Sequence, residues 1–171
     1  MKKNKKLRSL TEGAMIAAIY GVLTLVFWQF SSMQIQVRVS EALCILPLFT
    51  PAAVPGLTVG CFLANMLMGN VWDAVFGSFA TLLAAAVAYK LRDKRPSFHL
   101  LAPLACVVFN ALIVPLVLYF GYGVTTFGNE TGTWLVLGLQ AVSVAIGQVI
   151  ACYGLGMPLY YLLKRTKLFD R

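Results

Sequence analysis

The chain has 171 residues, of which 60% are hydrophobic and 12% are charged, and its formal net charge is +8. A soluble domain carries about 25% charged residues, so half that fraction, together with a mean hydropathy of +0.80, excludes a water-soluble domain and indicates an integral membrane protein. The length allows one domain, residues 1–171, with no additional soluble module.

The basic residues form three clusters, which lie at the amino end, in the middle of the chain and at the carboxyl end. They are Lys2, Lys3, Lys5, Lys6 and Arg8; Lys90, Arg92, Lys94 and Arg95; and Lys164, Arg165, Lys167 and Arg171. Basic clusters beside apolar spans are retained on the cytoplasmic side. We therefore expect both termini in the cytoplasm of a multi-pass cell-membrane protein, and we do not expect nucleic acid as a partner.

The first helix follows from a motif near the amino end. Ser9-Leu10-Thr11-Glu12 has the pattern of a capping box just before an apolar run. It predicts a helix that starts there, ends near Phe30 and is long enough to span the bilayer. A polar segment from Ser31 to Ser40 follows.

Parity decides how many helices lie between the first two basic clusters. Because both clusters are expected inside, an even number of crossings separates them, and residues 42–89 supply an odd number. The three prolines Pro47, Pro51 and Pro55 interrupt this region. The helices predicted here are 41–50, 53–69 and 73–90. The first of them is too short to cross about 30 Å of hydrocarbon at 1.5 Å per residue, so it should lie obliquely, buried in the bundle.

Two more helices complete the prediction. They cover 96–120 and 134–163, and the loop 121–133 between them lies outside by parity, like 31–40 and 70–73. The expected fold is an all-α membrane protein, a six-transmembrane-helix bundle with both termini cytoplasmic.

The sequence offers no recognisable catalytic machinery. It contains no G-x-x-x-x-G-K-[ST] phosphate loop and no H-E-x-x-H motif, and its single histidine, His99, is expected at the inner interface. The four cysteines lie in apolar runs without a C-x-x-C pair, so we expect small buried hydrophobes there. We predict no enzyme activity, no cofactor and no metal site.

Polar and aromatic side chains collect at the predicted outer end of the bundle. The candidates for ligand contact are Arg38, Glu41, Asn70, Trp72, Asp73, Phe76 and Gln140. An outward pocket with carboxylates, amides and aromatic rings suits a small, flat, polar ligand. Structural roles fit the same residues: an i,i+3 ion pair for Arg38 and Glu41, a helix cap for Asp73, and bonding between helices for Gln140.

The first helix also carries small residues on successive turns. Ala14-x-x-x-Ala18 and Ala17-x-x-x-Gly21 are patterns that allow another helix to approach closely, either inside the bundle or from a partner.

Together these features resemble the substrate-binding (S) components of energy-coupling factor (ECF) transporters. The resemblance rests on the Ala14-x-x-x-Ala18 helix, six short spans and no ATPase motif. Within that group, the run from Val37 to Gly60 and the motif Gly69-Asn70-x-x-Asp73-x-x-Phe76-Gly77-Ser78-x-Ala80-Thr81-Leu82 resemble the QueT family, assigned to uptake of queuosine precursors.

The resemblance implies that this protein binds the substrate and that partner proteins couple its transport to ATP hydrolysis. Substrate binds in the outer half of the bundle, under the loop from Ser31 to Ser40. Ala14 and Ala18 dock onto a transmembrane coupling subunit joined to two cytoplasmic ATPase subunits. The implied substrate is a 7-deazaguanine such as preQ0, preQ1 or queuine.

The candidate residues suit such a ligand. A guanine-like edge presents two adjacent N–H donors, which Asp73 or Glu41 could accept as a charge-assisted pair. An amide or the guanidinium would donate to the ring carbonyl, and an aromatic ring would form a wall. The alternatives are an S component for another vitamin-like substrate and a stand-alone secondary carrier for a small polar metabolite.

Overall fold

A computed structural model describes residues 2–31, 36–123 and 133–166 of the chain. Within these ranges the chain forms six principal helices. They are α1 Lys2–Val26, α2 Val39–Leu48, α3 Ala53–Leu67, α4 Asp73–Leu91, α5 Pro96–Gly121 and α6 Thr133–Thr166. A short helical turn, Trp28–Ser31, continues α1. Four helices, α1, α4, α5 and α6, are long and apolar enough to cross a membrane, which confirms a helical membrane protein.

The predicted ends of α3 to α6 agree with the structure within a few residues, but the predicted start of α1 is wrong. α1 begins at Lys2, well before the presumed capping box. Lysine and arginine are good helix formers, so the basic segment extends the helix. Glu12 accepts hydrogen bonds from Arg8 Nε at 2.9 Å and from Thr50 Oγ1 at 3.1 Å instead of capping a helix. Parts of two predicted outer loops, 32–35 and 124–132, lie outside the described residues.

α2, Val39–Leu48, confirms the prediction of a short, buried helix before Pro51, and it begins and ends two residues earlier than the predicted 41–50. It is a 3₁₀-helix that contains Pro47, and Ser40 to Leu48 are all buried. At about 2 Å per residue a 3₁₀-helix of this length falls short of a 30 Å hydrocarbon core. Its backbone therefore has to be enclosed by protein, and it packs against α4, α6 and α1.

α1 and α3 meet along glycines. A Cβ added to Gly56 would lie 2.7 Å from the Gly13 carbonyl oxygen, and one added to Gly60 would lie 2.8 Å from the Ala17 carbonyl oxygen. Real Cβ atoms do not come this close to backbone, so only glycine fits at these two positions of α3. Such close contact is the packing that small residues permit between membrane helices.

Two more glycines, both on α6, allow α2 and the residues before it to pack closely against α6. A Cβ on Gly147 would clash with the backbone of Gln36, and one on Gly156 would lie 3.1 Å from the Ala42 carbonyl oxygen. The chain that leads into α2 therefore runs directly over the α6 backbone. This contact fixes the depth of α2 in the bundle.

The close contact between α1 and α3 predicts that a single added methyl group on α3 destabilises the protein. Gly60→Ala should lower the free energy of unfolding by about 1–3 kcal/mol, the usual range for overpacking, because the methyl group meets the Ala17 backbone. Thermal unfolding of the detergent-purified protein, followed by circular dichroism, measures the change.

Gly138→Ala in α6 is the matched control. A Cβ at Gly138 meets nothing within 4 Å, so this variant should keep or slightly raise the melting temperature through the better helix propensity of alanine. A Gly60→Ala variant that melts with or above Gly138→Ala would contradict this account of the packing.

Candidate functional site

A buried ion pair joins the residues before α2 to the first turn of α4. Arg38 Nη2 lies 2.7 Å from Asp73 Oδ2, and the two side chains are only 11% and 9% exposed. Asp73 begins a π-helical turn, Asp73–Gly77, at the start of α4. A Cβ on Gly77 would lie 3.6 Å from Arg38 Nη1, so the guanidinium rests on the bare backbone of this glycine. The pair brings together two of the predicted site residues.

Neither structural alternative for these residues holds. Arg38 pairs with Asp73, so it does not form the i,i+3 ion pair with Glu41. Asp73 does not cap α4, because its Oδ2 bonds to Arg38 and its buried Oδ1 has no hydrogen-bond donor among the described residues. The Asp73 carboxylate is therefore paired with Arg38 through Oδ2, while Oδ1 remains a hydrogen-bond acceptor without a donor among the described residues.

Glu41 lies one turn further along α2 and is only 1% exposed. Its Oε1 accepts hydrogen bonds from Tyr20 Oη at 2.6 Å and Thr81 Oγ1 at 3.4 Å, and its Oε2 accepts one from Cys106 Sγ at 3.0 Å. Both carboxylate oxygens therefore have protein donors. The geometry assigns Glu41 a structural role beneath the ion pair, tying α1, α4 and α5 to α2.

Three cysteines gather beside Glu41, which the sequence did not indicate. The sulfur atoms of Cys44, Cys106 and Cys152 lie within 4.8 Å of one another and are buried. Three thiolates suit a soft metal ion. However, Cys106 donates to Glu41, and Cys152 donates to Gln148 Oε1 at 3.4 Å, so these hydrogen bonds already account for two of the thiols.

Two asparagines occupy the same local environment on α3 and α5. Cys61-x-x-x-Asn65 and Cys106-x-x-x-Asn110 each let the asparagine Nδ2 donate to the cysteine carbonyl oxygen one turn back, at 3.0 Å in both cases. Asn110 is fully buried, and its Oδ1 has no donor within the described part of the chain. Asn110 was not among the predicted site residues, although the repeated spacing could have drawn attention to it.

Gln140 and Asn70 lie at the same end of the bundle as Asp73. Gln140 is buried in the first half of α6, about two turns before Gln148. Asn70 is half-buried in the turn between α3 and α4, which Gly69 makes possible with a φ of 76°. Its backbone oxygen accepts the hydrogen bond of the Ala74 N–H at 2.8 Å, so its main chain starts α4.

Trp72, which precedes α4, and Phe76 differ from Asp73 in exposure, since Asp73 is buried. Both are about half exposed, and their rings stack with centroids 6.1 Å apart. They line a groove of about 410 Å³ together with α5, where the Trp72 ring packs on Gly121. The structure therefore does not turn these rings toward the buried ion pair. Nearby, partial burial raises the pKa of the Tyr122 phenol, which stays neutral close to Asp73.

The two small-residue patterns of α1 have different surroundings. In the second pattern, Ala17 packs on Gly60 of α3, as Gly13 one turn earlier packs on Gly56, but a Cβ on Gly21 would meet nothing within 4 Å. In the first pattern, Ala14 and Ala18 are both exposed. The structure thus removes one alternative for Ala14 and Ala18, namely packing within the bundle.

Comparison with known proteins places the chain in a family. The family model described as QueT transporter matches residues 10–165. A protein named queuosine precursor transporter QueT, from Lactococcus lactis subsp. cremoris, is 32% identical over 96 residues, which cover 55% of this chain and 56% of that protein. The match thus spans about half the length of this curated relative. No solved structure gives a significant match. Because the family match covers most of the sequence, the chain belongs to the QueT transporter family, a family of membrane transporters and not of enzymes, as predicted.

Proposed function

We propose that this protein is the substrate-binding component of an ECF importer and captures a queuosine precursor, a 7-deazaguanine such as preQ0, preQ1 or queuine, from outside the cell. The name of the Lactococcus lactis relative, queuosine precursor transporter, supports the substrate class. The observation that carries the proposal is the buried Arg38–Asp73 pair with one carboxylate oxygen left open.

The chemistry of this pair suits a guanine-like edge. The Arg38 guanidinium, 2.7 Å from Asp73 Oδ2, offsets the cost of burying the Asp73 carboxylate, which would be too costly unpaired in an apolar setting. The open Oδ1 then accepts an N–H of the ligand in a charge-assisted hydrogen bond. Gln140 and Asn70 lie at the same end of the bundle and supply amides for the ring carbonyl. A stacking role for Trp72 and Phe76 stays a prediction.

The orientation follows from α4. This helix has Asp73 at one end and Lys90 near the other, and it is long enough to cross the membrane. With the basic cluster 90–95 in the cytoplasm, as the distribution of lysine and arginine favours, Asp73 faces the outside. Both termini, which carry the other basic clusters, are then cytoplasmic.

The energy for uptake comes from partners in this proposal. The sequence has no phosphate-binding loop, so a transmembrane coupling subunit and two cytoplasmic ATPase subunits supply it. The exposed Ala14 and Ala18 offer a shallow surface on α1 onto which a partner helix can pack closely in lipid. A stand-alone secondary carrier would instead transport in vesicles without added subunits.

Removal of the Asp73 charge tests the substrate site. Asp73→Asn should weaken binding of preQ0 and preQ1 by about tenfold to a hundredfold, since it removes a charge-assisted hydrogen bond and unpairs Arg38. Isothermal titration calorimetry on the purified protein measures the affinity, and size-exclusion chromatography checks the fold.

Asp93→Asn is the control for this experiment. Asp93 lies in the turn between α4 and α5 with its side chain 83% exposed, so its neutralisation should leave the affinity unchanged. Equal affinities for Asp73→Asn and the parent protein would remove Asp73 from the site.

A bulky residue on the exposed face of α1 tests the docking surface. Ala18→Trp should abolish uptake by cells that express the coupling subunits, because the indole prevents close helix approach, while ligand binding by the purified protein persists. Ile19→Trp is the control, since Ile19 is also exposed but lies on another side of α1. Full uptake by Ala18→Trp, or equal loss in both variants, would count against docking through this face.

A further inference from the structure

The buried polar side chains of the bundle lie in two successive layers. In the outer layer, Arg38 contacts Asp73 and rests on Gly77. In the inner layer, Glu41 lies one turn along α2 and bonds to Thr81, which follows Gly77 by one turn of α4. α2 and the start of α4 thus descend together from the ion pair to the Glu41 network.

Asn110 belongs to the outer layer. Cys106 on α5 bonds to Glu41 in the inner layer, and Asn110 lies one helical turn, about 5.4 Å, beyond Cys106. α5 runs antiparallel to α4, because Trp72 before α4 packs on Gly121 at the end of α5. One turn from Cys106 toward Gly121 therefore raises Asn110 to the level of the ion pair.

This layer contains two buried acceptors without donors in the described chain. They are Asp73 Oδ1 and Asn110 Oδ1. The orientation of the Asn110 amide is fixed chemically, since only its Nδ2 can donate to the Cys106 carbonyl oxygen, at 3.0 Å. Exchanging the two amide atoms would place an oxygen against the Cys106 carbonyl oxygen, so the acceptor without a donor is Oδ1. Unsatisfied buried acceptors are costly and rare in native proteins, so two in one layer indicate an occupant that brings its own donors.

We infer that Asn110 is a substrate contact, and that its Oδ1 and Asp73 Oδ1 together accept two neighbouring N–H groups of the ligand. This inference rests on the proposed function and specifies its recognition chemistry. A 2-aminopyrimidinone edge, as in a 7-deazaguanine, carries a ring N–H beside an exocyclic amino group and so offers two such donors. Arg38 holds Asp73 in place by occupying its other oxygen.

Asn65 provides a matched comparison within the same molecule. It is also buried, and its Nδ2 makes the same two contacts, to Cys61 O at 3.0 Å and to Cys61 Sγ at 3.4 Å. Asn110 bonds to Cys106 at identical distances. However, the orphaned acceptors in the described residues include the oxygen of Asn110 and not that of Asn65. The same substitution at either position therefore removes the same local hydrogen bonds, but only substitution of Asn110 also removes an acceptor that has no donor.

The experiment compares Asn110→Leu with Asn65→Leu, two nearly isosteric changes. Affinities for preQ0, preQ1 and queuine are measured by isothermal titration calorimetry on the full purified chain, and thermal unfolding is recorded for each variant. Asn110→Leu should weaken binding by about tenfold to a hundredfold, whereas Asn65→Leu should stay within about twofold of the parent protein. If a leucine variant does not fold, serine at both positions replaces it, since serine keeps a hydrogen bond to the preceding turn.

The possible failures are distinguishable. If the parent protein binds a 7-deazaguanine and both asparagine positions respond equally, the assignment of Asn110 is overturned while the proposed function stands. If the parent protein binds none of the three ligands, the proposed function fails and the assignment of Asn110 fails with it. Loss of affinity at Asn110 alone supports both.

Discussion

The site depends on the ion pair between Arg38 and Asp73. Two opposite charges buried in an apolar bundle are tolerable only together, since the removal of one leaves the other uncompensated. The pair therefore fixes where the residues before α2 meet the start of α4. A guanidinium neutralises a carboxylate through one oxygen and leaves the second available. Asp73 thus has a partner for its charge but keeps one oxygen without a hydrogen-bond donor. Glu41 differs, because both of its oxygens accept protein hydrogen bonds.

The ion pair lies where it does because α2 is held deep in the bundle by backbone contact. Glycines of α6 let Gln36 and Ala42 approach the α6 backbone directly. α2 is too short to cross the membrane, so its ends would expose polar groups to lipid if it were not enclosed. The hydrogen bonds of Glu41 to Tyr20, Thr81 and Cys106 hold the same helix from three other sides. Thus glycine packing and one buried carboxylate together set the level of Arg38.

The sequence predicted the helices better than the site, for a physical reason. Prolines and basic clusters interrupt apolar runs locally, so the ends of α3 to α6 could be inferred, whereas the apparent capping box misplaced the start of α1. The direction in which a side chain leaves a helix changes by about 100° from one residue to the next. Trp72 and Asp73 are neighbours in sequence, yet one is half exposed and the other buried. The open oxygen of Asn110 and the approach of three cysteines depend on contacts between distant helices, which one sequence does not reveal.

α1 carries the proposed docking surface and also bonds to the residues beneath the ion pair. Its Gly13 and Ala17 side is occupied by α3, so the exposed Ala14 and Ala18 lie on a helix that α3 contacts on another side. From the same helix Tyr20 donates to Glu41 at 2.6 Å, and Glu41 lies one turn of α2 from Arg38. Any displacement of α1 relative to α2 must either break this buried hydrogen bond or move Arg38 with it. The Tyr20–Glu41 hydrogen bond therefore couples the position of α1 to that of Arg38.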